Sequence, residues 1–276
     1  MWLIKIATLI ATIIISLCLF LYAYCIEPNW IEVNSISLQL PHLAKEFNGY
    51  KIAQISDIHV DKKMSRQYLT RLFKLVNQQQ PDLIALTGDY VTKGSEKFIP
   101  KLATLSQLKS KDKTVAVLGN HDYASYTHNQ ATKEILQQTK VLNLANAVYS
   151  LKRGKAMLHI AGVDDVWERK DDLKAVLQQL PVDGAAILLA HEPDFADISA
   201  ATGRFDLQIS GHSHAGQVRL PFSEPIILPQ LGRKYYSGIY IVGDMIQYTN
   251  RGIGSTHLHL RFNSRPEITV FTLVAG

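Results

Sequence analysis

The chain has 276 residues, 47% of them hydrophobic and 19% charged, with a net charge of +5. That composition excludes a disordered or low-complexity chain, and beyond an apolar N-terminal stretch about 245 residues remain, enough for one large domain with a sizeable core. The basic residues fall in small separate groups, such as Lys62, Lys63 and Arg66 or Lys109, Lys111 and Lys113; these read as solvated faces, and with no basic arm or aromatic-interleaved stripe no nucleic-acid partner is expected.

The first element is apolar. Ile6–Ile26 is 21 residues without a charge, and as a helix it spans roughly 31 Å against a hydrocarbon core of about 30 Å. Trp2 at one end and Tyr22, Tyr24 and Trp30 at the other suit an interfacial aromatic belt. The apolar region of a cleaved secretory signal is shorter, about 7–15 residues, and Tyr24 is bulky where a lipoprotein cleavage site needs a small residue. Residues 1–27 therefore read as an uncleaved single-pass anchor in contact with the lipid bilayer. The terminal amine and Lys5 favour an inside N-terminus, with the main domain outside the cytoplasm. The two cysteines, Cys18 and Cys25, both lie in this stretch, so the rest of the chain offers neither a disulfide nor a thiolate metal site.

Residues 28–49 read as a connector with an early strand, "WIEVNSISLQL", and residues 50–276 as the main domain. There "YKIAQIS" reads as a strand. "RQYLTRLFKLVNQQQ" repeats its apolar residues with a helical period and stops before Pro81. "DLIALT" is a strand, "FIPKLATLSQL" a helix and "TVAVLG" a strand. A short helix follows near Ala131–Thr139, then the strands "VLNLANAVYSL" and "AMLHIAGVDDV". "DDLKAVLQQL" is a helix opened by Asp171 and Asp172. "AAILLA" and "FDLQIS" are buried strands, and the C-terminal third offers short strands in "QVRL", "IYIV", "MIQYTN", "HLHLRF" and "EITVFTLV". Strand–helix–strand alternation predicts a largely parallel sheet covered by helices, in one domain without internal repeats.

Five of these strands end in metal-ligand residue types. "YKIAQIS" is followed by Asp57 and His59, "DLIALT" by Gly88-Asp89, "TVAVL" by Gly119-Asn120-His121-Asp122, "AAILLA" by His191, and "FDLQIS" by Gly211-His212-Ser213-His214. Sites of open α/β sheets form outside the carboxyl ends of strands, so these endings can converge. Each piece alone reads better as a cap or turn; the ordered set is what carries information. Seven of these donors, Asp57, His59, Asp89, Asn120, His191, His212 and His214, form an oxygen and imidazole set that suits manganese, iron or zinc, and imidazole argues against calcium. Seven side chains are too many for one ion and suit two, with one carboxylate bridging. If the backbone is extended through the His212–His214 pair, both imidazoles project to one side, and Gly211 and Gly216 leave room for the chain to turn beside the ions.

The order D-x-H, G-D, G-N-H-D, H and G-H-x-H, intact from Asp57 to His214, resembles the calcineurin-like metallophosphoesterases. "ISGHSHAGQVRLPF" and "RGIGS…LRFNSRPEITVFTL" are further similar to a membrane-associated branch, some of whose members are linked to hydrolysis of UDP-2,3-diacylglucosamine in lipid A synthesis. The likeness covers about residues 30–274. It implies a four-layer α/β/β/α sandwich behind the N-terminal transmembrane helix, and a bacterial inner-membrane location. It implies two divalent metal ions, one on Asp57, His59 and His214, the other on Asn120, His191 and His212, with Asp89 bridging. His121 would be the acid and Asp122 its orienter, and Arg251 in "RGIGS" would touch substrate. The implied activity is two-metal hydrolysis of a phosphodiester or pyrophosphate in a phosphorylated amphiphilic substrate. An envelope or cell-wall phosphodiesterase outside the cytoplasm is the alternative. A non-catalytic scaffold would have lost ligands, whereas all seven positions and His121 are present. His257 and His259 read as neighbours on one strand face, His42, His128 and His159 as surface or satisfied histidines, and Glu192 as a capping or pairing residue.

Overall fold

A computed structural model describes residues 1–256 and 258–276; His257 lies outside the described residues, and with it the pairing of His257 and His259 on a strand face. α1 (Trp2–Leu21) buries none of its side chains. It runs on through Tyr22–Ile26 and a 3₁₀ turn, Glu27–Asn29, as a helix long and apolar enough to cross a membrane. Its far end is tied to the body of the protein, where the buried Glu27 carboxylate accepts from the Ser264 amide at 2.6 Å.

In chain order the body then contains β1 (Glu32–Leu40), β2 (Lys51–Ile55), α2 (Arg66–Gln78), β3 (Leu83–Thr87), β4 (Lys113–Val117), α3 (Tyr126–Gln138) and β5 (Leu142–Asn143). There follow β6 (Ala147–Arg153), β7 (Ala156–Gly162), α4 (Leu173–Gln179), β8 (Ala185–Leu189), α5 (Ala196–Ala200), β9 (Leu207–Ser210), β10 (Gly238–Val242), β11 (Met245–Thr249) and β12 (Glu267–Ala275). Two six-stranded sheets result, ordered β1-β12-β2-β3-β4-β5 and β10-β11-β9-β8-β7-β6. Pairing is parallel except for β12 on β2, β10 on β11 and β6 on β7.

The layers follow from strand periodicity. Leu83 and Ala85 of β3 face the core between the sheets, where they join Leu158, Ile187 and Ile209. Ile84 and Leu86, on the other face, pack under Leu69, Leu72, Phe73 and Val76 of α2. Those four helical side chains are fully buried, at roughly 1.5–3 kcal/mol each for a large apolar side chain. A third cluster, including Ala186, Leu188, Phe195 and Val176, covers the outer face of the second sheet beneath α4 and α5. Helices on both outer faces and two sheets between them are the expected four layers.

Local chemistry explains most starts and stops. Ser65 caps α2 by accepting from the Tyr68 amide, Ser125 caps α3 through His128, and Asp172 caps α4 through Ala175. α3 begins five residues before Ala131, because that cap outweighs the polar run Tyr126–Gln130. The segment read as a helix at "FIPKLATLSQL" is 3₁₀, Glu96–Gln107; Pro100 inside it has no amide hydrogen to give an α-helical ladder. "VLNLANAVYSL" is not one strand but two, broken at Asn146 with φ 54°. Among the described residues, "QVRL" and residues 258–262 of "HLHLRF" form no strand beyond a single bridge between Val218 and Phe262. The early strand, set in a connector by sequence, is built into the first sheet: β1 pairs with β12 over its whole length.

Candidate metal centre

β2, β3, β4, β8 and β9 all end at one side of the stacked sheets, and the seven expected ligands meet there. His59 Nε2 lies 3.1 Å from His214 Nε2, which lies 3.4 Å from Asp57 Oδ1. Across the site His191 Nε2 is 3.2 Å from His212 Nδ1. Asp89 Oδ2 stands between the two groups, 3.3 Å from His59 Nε2 and 3.4 Å from His191 Nε2. Asp57, His59 and His214 thus form one candidate cluster, and Asp89, His191 and His212 another. Asn120 lines the same cavity, and its Oδ1 is buried without a hydrogen-bond partner among the described residues.

The hydrogen bonds show that these residues fit cations. His191 Nδ1 lies 2.6 Å from the Thr87 carbonyl and His212 Nε2 2.8 Å from that of Gln230. Only a protonated ring nitrogen can bond a carbonyl, so each ring, when neutral, turns a lone pair from its other nitrogen toward its neighbour. Against burial, the Asp89 charge raises His191 well above its ordinary value; a cation shared by the two facing nitrogens, 3.2 Å apart, would take the place of that proton and satisfy both. Outer partners that fix a ring tautomer in this way are a regular part of metal-histidine sites. Burial holds His214 well below its ordinary value, with the charges of His59 and Arg261 adding to the effect, so its ring is neutral.

The backbone is unusual at this point. Asp57, His59, Asp89, His212 and His214 have φ of 51°, 48°, 56°, 71° and 50°, the left-handed region that residues with a β-carbon rarely enter. Amide bonds hold the turns: Asp57 to Gly88 O, His59 to Asp89 O and Gly254 to Asp57 O. This overturns the extended reading of the "HSH" pair. His212 and His214 reach different clusters because the chain coils left-handed at each of them. The glycine reading holds for Gly211, whose β-carbon would collide with Ser56 and the Asp57 carboxylate. Gly216 answers a different need, with φ 74° and Pro225 against its open face.

His121 lies beside the centre, its ring edge-on to His59 at 4.8 Å. Its Nδ1 accepts from the Lys93 amide at 3.2 Å, which leaves the proton on Nε2. Burial, opposed by Asp89, depresses this imidazole to about 4, so near neutrality it is a neutral Nε2–H donor. Asp122 does not orient it. The fully buried Asp122 carboxylate accepts from the amides of Asp89 at 2.9 Å, Tyr90 at 3.0 Å and Gly119 at 3.0 Å. It ties together the loops that carry Asp89 and Asn120.

Arg251 is a second correction. Its guanidinium is 2.6 Å from Glu267 and 2.6 Å from Glu32; it braces β1 and β12 and lines neither cavity of the site. The arginine that does reach the centre is Arg261, unremarked in the sequence. It is fully buried, donates to the carbonyls of Gly252 and Ser264, and sets Nη2 3.3 Å from His214 Nδ1. Glu192 pairs as expected, accepting from the amides of Val166 and Trp167. Beside it burial and then the Glu192 charge push Asp165 up to about 10, so Asp165 carries a proton. This pair sets the loop after β7 that brings Trp167 to 5.6 Å from His212. The signal was present in "GVDDVW", but reading the strand through it hid the turn. His42 pairs with Asp206 on the surface, and buried His159 bonds Ser150 and Asp183.

A cavity of 590 Å³ opens over the ligands. Asp89, Asn120, His121 and His212 form its polar end, and Trp167, Ile226, Ile227, Leu258 and Leu260 its apolar wall. A smaller cavity of 230 Å³ runs from His59 past Lys63 and His259 to Tyr24 and Asn29 at the end of the N-terminal helix.

The sequence pattern of calcineurin-like phosphoesterases matches residues 50–216. The uncharacterized metallophosphoesterase YkuE of Bacillus subtilis is 34% identical over 91% of this chain and 88% of its own length. The phosphodiesterase YaeI of Escherichia coli is 31% identical over 92% of this chain and 93% of its own. More distant, at 25% identity over 91% of this chain and 92% of its own, is the UDP-2,3-diacylglucosamine pyrophosphatase LpxG of Chlamydia muridarum.

Proposed function

The chain belongs to the calcineurin-like phosphoesterase family, and we propose that it is a membrane-anchored hydrolase of a phosphodiester or pyrophosphate within an amphiphilic substrate. One observation carries the reading: the cavity joins the metal-ligand cluster at one end to an apolar wall at the other, a shape suited to a molecule with a phosphate and a hydrocarbon part. UDP-2,3-diacylglucosamine is the concrete candidate, a proposal supported by the distant relative named for it. The charges flanking α1 favour the second reading, an envelope or cell-wall diester cleaved outside the cytoplasm.

Asp57, His59 and His214 would hold one ion, Asn120, His191 and His212 the other, and Asp89 both; manganese, iron and zinc suit these donors. Bound divalent ions supply an acidified water and offset phosphoryl charge. The chain's own residues do the rest. Asp89 and Asn120 are held in place by Asp122 through the backbone. His121, with Nδ1 engaged by Lys93, presents Nε2–H to a phosphoryl or leaving-group oxygen. Trp167 and the apolar wall exclude bulk water and receive the hydrocarbon part.

The test is a panel of lipid-linked, sugar-nucleotide-linked and simple diesters against metal-loaded protein. Bis(p-nitrophenyl) phosphate should be hydrolysed with manganese and not with a chelator, and Asp89→Ala should abolish turnover with the fold intact. Cleavage of UDP-2,3-diacylglucosamine well above its deacylated analogue supports the amphiphile reading. Equal rates on both would refute it, and no activity under any divalent ion would refute the enzyme.

A further inference from the structure

The mouth of the larger cavity is rimmed by exposed apolar side chains. Ile226, Ile227 and Leu258 are 70%, 77% and 66% exposed, and Phe222 in the same loop is wholly so. Single exposed hydrophobics need no explanation, but several around one opening mark an interaction surface. Residues 217–230 carry just two charges, Arg219 and Glu224, and both are turned to Tyr236, whose hydroxyl donates to Glu224 and whose ring lies 5.9 Å from the Arg219 guanidinium.

The rim is continuous with the end of the N-terminal helix. Arg261 donates its amide to the Ala23 carbonyl at 3.0 Å, and Phe262 meets the Tyr22 ring edge-on at 6.2 Å. Ser264 then reaches Glu27. Residues 261–264 therefore pack along residues 22–27 at the end of the helix, and Leu258 and Leu260, on the cavity wall, immediately precede that contact in the chain. Gln217 binds the Leu258 carbonyl through its side chain at 2.7 Å and receives the Phe262 amide on its own carbonyl, so the 217–229 loop is fastened to the same place. Trp30, half exposed with Arg265 over its ring at 4.1 Å, is the kind of residue found at headgroup level.

We propose that this rim rests in the leaflet from which α1 emerges, so that the cavity opens onto lipid acyl chains and an amphiphile reaches the metal ligands without crossing water. The inference rests on reading α1 as a membrane anchor, and the experiment separates the two. Full-length protein is placed in phosphatidylcholine–phosphatidylglycerol nanodiscs, with one thiol carrying a bimane label and brominated lipid as quencher. Native Cys18, after Cys25→Ser, reports the anchor. Phe222→Cys and Ile227→Cys, each in a Cys18→Ser, Cys25→Ser background, report the rim. Val182→Cys, 89% exposed at the strand ends remote from the site, is the water-facing control. Rim labels should be quenched at least about twofold more than Val182, as for side chains about 5–10 Å into the interface. Quenching at Cys18 with rim labels at the Val182 level would overturn the rim and spare the anchor. Absence of quenching at Cys18 as well would overturn both. Rim labels shifted to the blue but insensitive to bromine would mean a protein covers the rim, which also overturns the proposal.

Discussion

Replacement of Asp122 separates two roles that its place in the G-N-H-D motif does not. If its carboxylate oriented His121, its loss would fall on the pH dependence of catalysis and leave the fold intact. The structure instead gives it three backbone amides, with Oδ2 taking Asp89 and Gly119 and Oδ1 taking Tyr90. A buried donor left unsatisfied costs about 1–3 kcal/mol, so Asp122→Ala exposes the fold to about 3–9 kcal/mol. A water entering the vacated space can take up part of this, which brings the expected loss to about 3–5 kcal/mol. Asp122→Asn can keep its oxygen on the Asp89 and Gly119 amides and lose Tyr90 alone, for about 1–3 kcal/mol. Urea unfolding of the detergent-solubilised protein, followed by tryptophan emission, reads both. The alanine variant should also lose activity, because the Asp89 loop would no longer be held. An alanine variant within about 1 kcal/mol of wild type, or equal losses for the two variants, would refute the reasoning.

Three further outcomes are expected. Gly119→Ala would set a β-carbon 2.7 Å from His191 Nε2 and against the Asp89 carboxylate; manganese affinity by equilibrium dialysis should fall at least about tenfold, and an unchanged value would mean the ligands sit elsewhere. His121→Gln should lower kcat by about 10²–10⁴ for diesters with poor leaving groups and far less for p-nitrophenolate, which needs no proton; equal losses on both would remove His121 as the donor. Arg251→Ala leaves the buried Glu267 carboxylate without its main partner and should cost about 3 kcal/mol with KM unchanged; a raised KM at wild-type stability would restore Arg251 to the substrate.

What could be read from residues alone depended on how local the determinant was. The strands β2, β3, β4, β8 and β9 are short apolar runs with ligand-type residues at their carboxyl ends, and topology sends those ends to one place, so the convergence of these side chains was legible. Asp122 was misread because its partners, the amides of Asp89 and Tyr90, lie 33 and 32 positions away. Arg251 was misread for the same reason, since Glu32 is 219 positions distant. Arg261 carried no motif; its role comes from carbonyls in a loop without regular structure. The left-handed turns escaped because glycine and asparagine usually announce them, and here aspartate and histidine occupy them.

Those turns have a consequence for anyone improving the protein's robustness. A left-handed backbone in a residue with a β-carbon costs about 1 kcal/mol or more, and five such residues together approach the net stability of an ordinary fold, about 5–15 kcal/mol. Glycine at Asp57, His59, Asp89, His212 or His214 would relieve that cost and delete a ligand in the same step. Any stability gained by relaxing these turns is therefore gained against the hydrolytic centre, and a selection for thermal tolerance alone has nothing to spare it.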